Sequence, residues 1–170
     1  SRAFWQALYP DHPYGRVSTP ESLENLTRAD VEAFWRANYN AAKASVTLVG
    51  DLSRSEAEAI AEKLTAGLPG GGPAAPIPAA SLPQGRVVSV PHPATQSHLL
   101  LGLPAIPRGD PDFYALQVGN YVLGGGGFVS RLLKEVRDAR GYAYSTYSYF
   151  APMVARGPFQ IGLQTKRAQA

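Results

Sequence analysis

The chain has no cysteine and only three histidines among its 170 residues. The absence of cysteine excludes disulfide bonds, thiolate catalysis and cysteine-ligated zinc, although it does not fix a cellular compartment. A catalytic zinc ion needs three protein ligands and one open coordination position. His12, His92 and His98 are scattered along the sequence, and none belongs to a helical motif of the kind that holds zinc. The sequence therefore predicts no metal site in this chain.

Long apolar runs and clusters of one charge are also missing. No stretch approaches the roughly 20 apolar residues that a membrane-spanning helix needs. The 16 basic and 13 acidic residues give a formal net charge of +3, and they are spread along the chain. A nucleic-acid or membrane surface would need a basic cluster. We therefore expect no nucleic-acid partner and no membrane span. The apolar content of 45% is ordinary for a globular protein.

Hydrophobic periodicity predicts an α+β fold, with helices packed on one face of a largely antiparallel sheet. Thr27 and Asp30 match a capping box at the start of one helix. Residues 96–103 are almost continuously apolar, which is typical of a strand buried on both faces. Helices are predicted over residues 1–9, 21–26, from 27 onwards, 55–68, 112–123 and 130–139, and strands over 44–50, 86–90, 96–103, 142–150 and 159–165.

A proline- and glycine-rich segment over residues 70–85 predicts a linker, because this composition holds neither a helix nor a central strand. Both ends of the chain have the pattern of interior sequence. Ser1 to Trp5 is typical of the middle of a helix and contains no initiator methionine, and residues 164–170 stop shortly after a predicted strand. We therefore expect a fragment of a longer protein.

The segment from Gly124 to Ser145 is the most informative part of the chain. A glycine loop opens a charged helix, and an aromatic strand follows the helix. Arg137 falls in the last turn of that helix and Tyr144 enters the strand, so the two flank one turn. A guanidinium offers a fork of donors and a phenol offers one O–H. Held together, they would bind a carbonyl oxygen as negative charge develops on it; the alternative is a surface cation at a helix C-terminus and a packed tyrosine.

The glycine loop has two interpretations as well. Backbone N–H groups at a helix N-terminus can cradle a phosphate. A P-loop would end in Gly-Lys-Ser/Thr, whereas Phe128-Val129-Ser130 follows the glycines here. A hinge or a substrate contact is the interpretation that we favour. The candidate substrate-binding residues are Gly125, Gly126, Gly127 and Ser130.

These residues together resemble a known family. The glycine run after Leu123, the sequence Ser130-Arg131-Leu132 and the seven-residue spacing of Arg137 and Tyr144 are similar to the second half of the pitrilysin/insulinase-type zinc metallopeptidases. The family includes the mitochondrial processing peptidases and their bacterial relatives. A second stretch, with His12-Pro13-Tyr14-Gly15 and later Val49-Gly50-Asp51, resembles the end of the family's first half. The resemblance covers nearly the whole chain apart from residues 70–85.

The resemblance implies one half of a duplicated metallopeptidase-type α/β roll. It assigns residues 1–69 to the end of the preceding half, 70–85 to the linker and 86–170 to the start of the half that does not hold zinc. Arg137 and Tyr144 would support catalysis by contacting the substrate and stabilising an oxyanion in a closed chamber. The family's zinc motif, His-x-x-Glu-His, is absent here, so this segment alone is expected to be inactive. Zinc is expected in the missing half or in a partner subunit.

The leading hypothesis is thus the inactive peptidase domain of a zinc metalloendopeptidase. Its expected partners are a peptide or protein substrate and a zinc-bearing homologous half or partner subunit. A dimer is a further expectation. The alternative is a degenerate, non-enzymatic scaffold or peptide-binding subunit of the same family, and a third hypothesis is a phosphate-ligand domain. The abundance of Ala, Gly, Pro and Arg points to a bacterial source, and a periplasmic location is a guess from exported relatives.

Overall fold

The structure is a computed structural model that describes residues 1–170. The chain forms two compact units, one made of Ser1–Val17 with Ile77–Ala170 and the other of Ser18–Pro76. The first 17 residues therefore pack with the C-terminal part of the chain. The boundaries predicted from the resemblance, at residues 69 and 86, concern the ancestry of the halves rather than compactness, and they remain a prediction.

The helices and strands are short. In chain order they are α1 (Arg2–Leu8), α2 (Pro20–Glu24), α3 (Arg28–Asn38), α4 (Arg54–Thr65), β1 (Gln96–Pro104), α5 (Phe113–Asn120), α6 (Arg131–Leu133), β2 (Ala143–Phe150) and β3 (Pro158–Lys166). Two π-helical turns extend the pattern, Tyr121–Gly125 after α5 and Lys134–Asp138 after α6. None of the helices is both long enough and apolar enough to cross a bilayer.

Local capping explains where the helices of the smaller unit begin. The Thr27 hydroxyl accepts a hydrogen bond from the Asp30 N–H at 3.2 Å, and the Asp30 carboxylate accepts one from the Thr27 N–H at 2.9 Å. This reciprocal arrangement satisfies two N–H groups that a helix start otherwise leaves without partners. The predicted capping box is confirmed, and the same box, made by Ser53 and Glu56, starts α4.

The larger unit contains a three-stranded antiparallel sheet in the order β1-β3-β2. Alternation along the strands assigns Ser148 and its partner Ile161 to one face, and Tyr147 and its partner Gly162 to the other. Asn120 at the end of α5 hydrogen-bonds to Ser148, so α5 packs on the first face. This combination of helices and a small antiparallel sheet confirms the α+β class.

The N-terminal segment and the chain around residue 80 share one hydrophobic core. Leu8, Tyr9 and Ala80 are its buried members, and four partly buried side chains pack on them: Phe4, Trp5, Tyr14 and Ala155. The Tyr9 hydroxyl donates a hydrogen bond to the Arg156 carbonyl at 2.9 Å. Part of the proline-rich segment predicted as a linker is therefore packed against α1 and the chain that follows it.

Three strand expectations are wrong in detail. Residues 44–50 and 86–90 form no strand, and Val49 and Val87 are 94% and 99% exposed. β-branched residues favour extended backbone, but a strand also needs a neighbour to pair with its N–H and C=O groups, and no segment of this chain pairs with these two. Strand β1 is not buried on both faces either, since Leu101 is 68% exposed. It is an edge strand that pairs only with β3.

Candidate functional site

The glycine loop is shaped by close packing against the sheet. A Cβ atom on Gly124 would lie 2.7 Å from Leu132 Cδ1 and 2.7 Å from the Ser148 backbone nitrogen, and closer still to the Ser148 hydroxyl. Gly127 has a different reason to be glycine, because its φ of +59° is in the left-handed region while nothing crowds its Cβ position. Gly125 and Gly126 are crowded as well, by the Asn120 side chain and the Tyr121 carbonyl, so the run combines three close approaches with one backbone turn.

A buried pair of hydrogen bonds holds this loop on β2. The Asn120 side-chain amide donates to the Ser148 carbonyl at 3.0 Å, and the Ser148 hydroxyl donates to Asn120 Oδ1 at 2.6 Å. Both side chains are buried, so each bond also satisfies groups that would be costly to leave without partners. Sequence reasoning missed this pair. The available signal was an asparagine inside the otherwise apolar helix that precedes the glycines.

Ser130 begins the next helix rather than facing solvent. Its side chain is fully buried, and its hydroxyl accepts a hydrogen bond from the Leu133 N–H at 3.4 Å. Its backbone N–H donates to the Gly127 carbonyl at 3.0 Å, and the Gly126 N–H donates to the Tyr121 carbonyl at 2.9 Å. These donors are already used within the chain, which disfavours the phosphate-cradle interpretation because such a cradle needs outward-pointing N–H groups.

Arg137 lies in the π-helical turn Lys134–Asp138, just before the chain reverses into β2. Gly141, with φ of +63°, makes the reversal, and its N–H donates to the Arg137 carbonyl at 2.8 Å. A glycine in the left-handed conformation is the common way to end a helix. The π turn adds one residue to the helical repeat and so changes the direction in which Arg137 leaves the helix.

The structure brings Arg137 and Tyr144 together and adds a third residue. The guanidinium carbon lies 5.0 Å from the ring centroid of Tyr144 and 5.1 Å from that of Phe128. Arg137 is thus flanked by an aromatic ring from the strand and one from the glycine loop. Phe128 was missed by sequence reasoning, although an aromatic residue directly after four glycines was a visible signal. The Tyr144 side chain is 82% exposed, and that of Arg137 is 32% exposed.

Phe128, Arg137 and Tyr144 together form the arginine site. The guanidinium N–H groups and the Tyr144 hydroxyl of this site remain available to a ligand. The nearest acidic group to Arg137 is the Asp138 carboxylate, with 3.8 Å between Nε and Oδ1. A guanidinium stacked on rings keeps its N–H donors in its own plane, where they can bind a planar acceptor. The neighbouring Arg140 is different, because it pairs with Glu135 at 2.5 Å and thereby lowers the pKa of that carboxyl.

The residues of this chain do not fit a zinc centre. No three His, Cys, Asp or Glu side chains are close enough to share a metal ion. His12 has both ring nitrogens engaged, since Nδ1 accepts from the Tyr14 N–H at 3.1 Å and Nε2 lies 2.9 Å from the Pro78 carbonyl. A zinc ligand needs a ring nitrogen with a lone pair directed at the metal.

Comparison with known proteins identifies the family. A family model described as the peptidase M16 inactive domain matches residues 25–170. An uncharacterised zinc protease of Mycobacterium tuberculosis is 34% identical over 151 residues, covering 85% of this chain and 34% of that protein. One from Streptomyces coelicolor is 32% identical over 167 residues, covering 93% of this chain and 36% of that protein.

Solved structures agree. A crystal structure of the peptidase M16 inactive domain from Pseudomonas fluorescens superposes with a TM-score of 0.90 at 44% identity, covering 97% of this chain and 40% of the other. A protease from Helicobacter pylori shares the fold, with a TM-score of 0.76 at 20% identity. The fold and the family model together define an inactive peptidase domain, and the chain belongs to the peptidase M16 family. It spans about a third of the length of the curated relatives that it matches.

Proposed function

We propose that this chain is the substrate-binding, non-zinc part of a zinc metalloendopeptidase. In this role Arg137 and Tyr144 bind the carbonyl oxygen of an extended peptide and stabilise the negative charge that develops on it. The observation that carries the proposal is the position of the Arg137 guanidinium between the rings of Phe128 and Tyr144. Groups that are held in place before the substrate arrives stabilise developing charge most effectively.

The stacking supports this role by restricting the guanidinium without consuming its donors. Each cation–π contact at an exposed site is worth about 0.5–1 kcal/mol, so two rings offset a large part of the rotamer entropy of an arginine side chain. The Tyr144 hydroxyl supplies a further O–H donor beside the guanidinium. Because this phenol is mostly exposed, a peptide reaches it without any rearrangement of the strand.

The glycine loop has a positioning role in this proposal. Gly125 and Gly127 are exposed, and open space surrounds the Cβ position of Gly127, so a peptide can approach the backbone there closely. Phe128, which follows them, sets one wall of the arginine site. Ser130 is buried, so its proposed part is to fix the start of the helix that carries Arg137, and it does not contact the peptide.

Zinc itself is proposed to lie outside this chain, in a homologous half or a partner subunit. The relatives are named zinc proteases, and the three histidines of this chain do not form a ligand set. Within the proposal this chain binds and orients the peptide, and it stabilises charge at the carbonyl oxygen.

The test is peptide hydrolysis by the full protein or complex, comparing Arg137→Ala, Tyr144→Phe and the control Arg140→Ala. Loss of one oxyanion donor lowers kcat by about 100- to 1000-fold, so we expect losses on that scale for Arg137→Ala and smaller ones for Tyr144→Phe. Arg140→Ala removes a nearby exposed cation that is paired with Glu135, and we expect a change within about twofold. Equal rates for all four proteins would contradict the proposal.

The second candidate is a peptide-binding subunit without hydrolysis, which the exposure of both Phe128 and Tyr144 also favours. In that case Arg137→Ala weakens binding of a fluorescent peptide, while no assembly of the protein cleaves it. Cleavage by the wild-type assembly would eliminate this candidate.

A further inference from the structure

A cavity lies on the sheet face opposite α5. Its volume is about 360 Å³, within the range of small ligand sites, about 300–1,000 Å³. Phe4 and Trp5 of α1 form one wall, and residues from all three strands form the floor. Ser145 also lines it and directly follows Tyr144 in β2. Tyr144 and Ser145 are thus neighbours in sequence, at an irregularity in the pairing of β2 with β3 between Ala143 and Thr146.

Two glycines allow aromatic rings to lie flat on this floor. A Cβ atom on Gly162 would collide with the ring of Tyr147, and one on Gly102 would lie 2.7 Å from the Phe4 ring. The rings of Tyr147 and Tyr149 are nearly parallel, with centroids 5.9 Å apart and an interplanar angle of 21°. Glycine weakens the interior of a strand and often marks a close approach. Here the result is an aromatic surface directly against the backbone of β3.

The polar side chains of the cavity are largely uncommitted. Gln160 donates a long hydrogen bond of 3.5 Å to the Tyr147 hydroxyl, whereas His98 and Gln164 make no side-chain hydrogen bond within the protein. No lysine, arginine, aspartate or glutamate lines the cavity. Side-chain amides both donate and accept, which matches the alternating donors and acceptors of a peptide backbone.

The spacing of the amides suggests the conformation of the ligand. Gln160 and Gln164 both line the cavity from β3, four residues apart. Four residues of a strand span roughly 13 Å, so the two amides would contact an extended peptide about four residues apart. The flat rings between them would stack with an aromatic side chain of that peptide.

We propose that this cavity, lined by Trp5, His98, Tyr147, Tyr149, Gln160 and Gln164, is a subsite for an uncharged, extended peptide segment that carries an aromatic side chain. The proposal deepens the proposed function and rests on it, because it assigns a preference to the peptide bound at the arginine site. The absence of Lys, Arg, Asp and Glu side chains from the lining disfavours a charged segment, since a charge that enters the cavity loses hydration without gaining an ion-pair partner from those side chains.

The test is calorimetric titration of the full protein with the capped tetrapeptide acetyl-Ala-Gln-Phe-Ala-amide. A second peptide with Asp in place of Phe tests the charge rule. We expect saturable binding of the first peptide and at least about tenfold weaker binding of the second. Absence of saturable binding of the first peptide, or equal affinity for both, would overturn the subsite.

Variants separate this subsite from the arginine site. Gln164→Ala and Tyr149→Ala should each weaken binding of the Phe peptide by about five- to tenfold. Gln117→Ala removes an amide from α5, which lies on the other face of the sheet, and it should leave this affinity unchanged. Loss in Arg137→Ala with no loss in Gln164→Ala would assign the peptide to the arginine site alone and overturn the subsite. If the Phe peptide binds as expected but Arg137→Ala leaves peptide hydrolysis unaltered, the subsite stands and the proposed function is refuted.

Discussion

Two glycines of one loop should respond very differently to the same added methyl group. Gly124→Ala places a Cβ atom 2.7 Å from Leu132 Cδ1 and 2.7 Å from the Ser148 backbone nitrogen. The leucine can move, but the backbone of β2 cannot do so without disturbing the sheet. Gly127→Ala meets open space, and its penalty comes only from the positive φ of 59°.

The magnitudes follow from these geometries. Overpacking costs about 1–3 kcal/mol, and weakening the buried Asn120–Ser148 hydrogen bonds adds about 1 kcal/mol, so we expect a loss of about 3 kcal/mol for Gly124→Ala. A left-handed conformation costs a residue with a Cβ about 1 kcal/mol. For a chain of this length, 1 kcal/mol shifts Tm by about 2–4 °C. The expected decreases in Tm are therefore about 9 °C for Gly124→Ala and about 3 °C for Gly127→Ala.

Thermal denaturation followed by circular dichroism measures both decreases in Tm, and urea denaturation measures the corresponding free energies of unfolding, with the wild-type protein as the reference. Peptide hydrolysis by the full protein adds a functional measurement. Displacement of the loop moves Phe128 away from Arg137, so Gly124→Ala should also lose activity at a temperature where it is still folded. If Gly127→Ala is the more destabilised variant, or if the two are equal, the assignment of Gly124 to a close contact with β2 is wrong.

Three further predictions concern stability. Burial raises the pKa of the Tyr9 hydroxyl from 10.0 to about 12, with a smaller contribution from Tyr14, so the stability that it contributes is complete below pH 10 and is lost as the pH rises towards 12. Between about pH 9 and about pH 11 the loss is about 1.3 kcal/mol, and urea titrations of Tyr9→Phe should lack this part of the pH dependence. Asn120→Ala leaves buried groups of β2 without partners and should destabilise the protein by about 2–3 kcal/mol; a change below about 0.5 kcal/mol would contradict the buried pair. Thr27→Ala should cost about 1 kcal/mol in the helix that it caps. Acid should weaken the same helix in the wild type, because hydrogen bonds from Thr27 lower the pKa of Asp30 and their contribution is lost as the pH falls through that pKa; unchanged helix content by circular dichroism in either case would count against the cap.

Local signals in the sequence predicted the local features of the fold well. The capping box at Thr27 depends on residues three positions apart, and the strands predicted over residues 142–150 and 159–165 correspond closely to β2 and β3. Hydrophobic periodicity predicted the α+β class, and the resemblance that rests on the glycine run and the Arg137–Tyr144 spacing predicted the family; the comparisons confirm both.

Features that depend on distant contacts could not be predicted in the same way. Residues 86–90 have the composition of a strand, but composition does not reveal whether a neighbouring strand is present to pair with them. The Asn120–Ser148 pair joins residues 28 positions apart, and no local pattern indicates it. Phe128 completes the arginine site only because a π turn and a glycine loop bring its ring beside the guanidinium.

The most direct test of the central claim is a double-mutant cycle on kcat/KM with Arg137→Ala and Tyr144→Phe in the full protein. Residues that act on the same oxygen as one unit give strongly non-additive losses. We therefore expect each single variant to lose most of the activity and the double variant to lose little more than Arg137→Ala alone. Losses that simply multiply, or single variants that retain wild-type kcat/KM, would contradict a shared role at the substrate carbonyl.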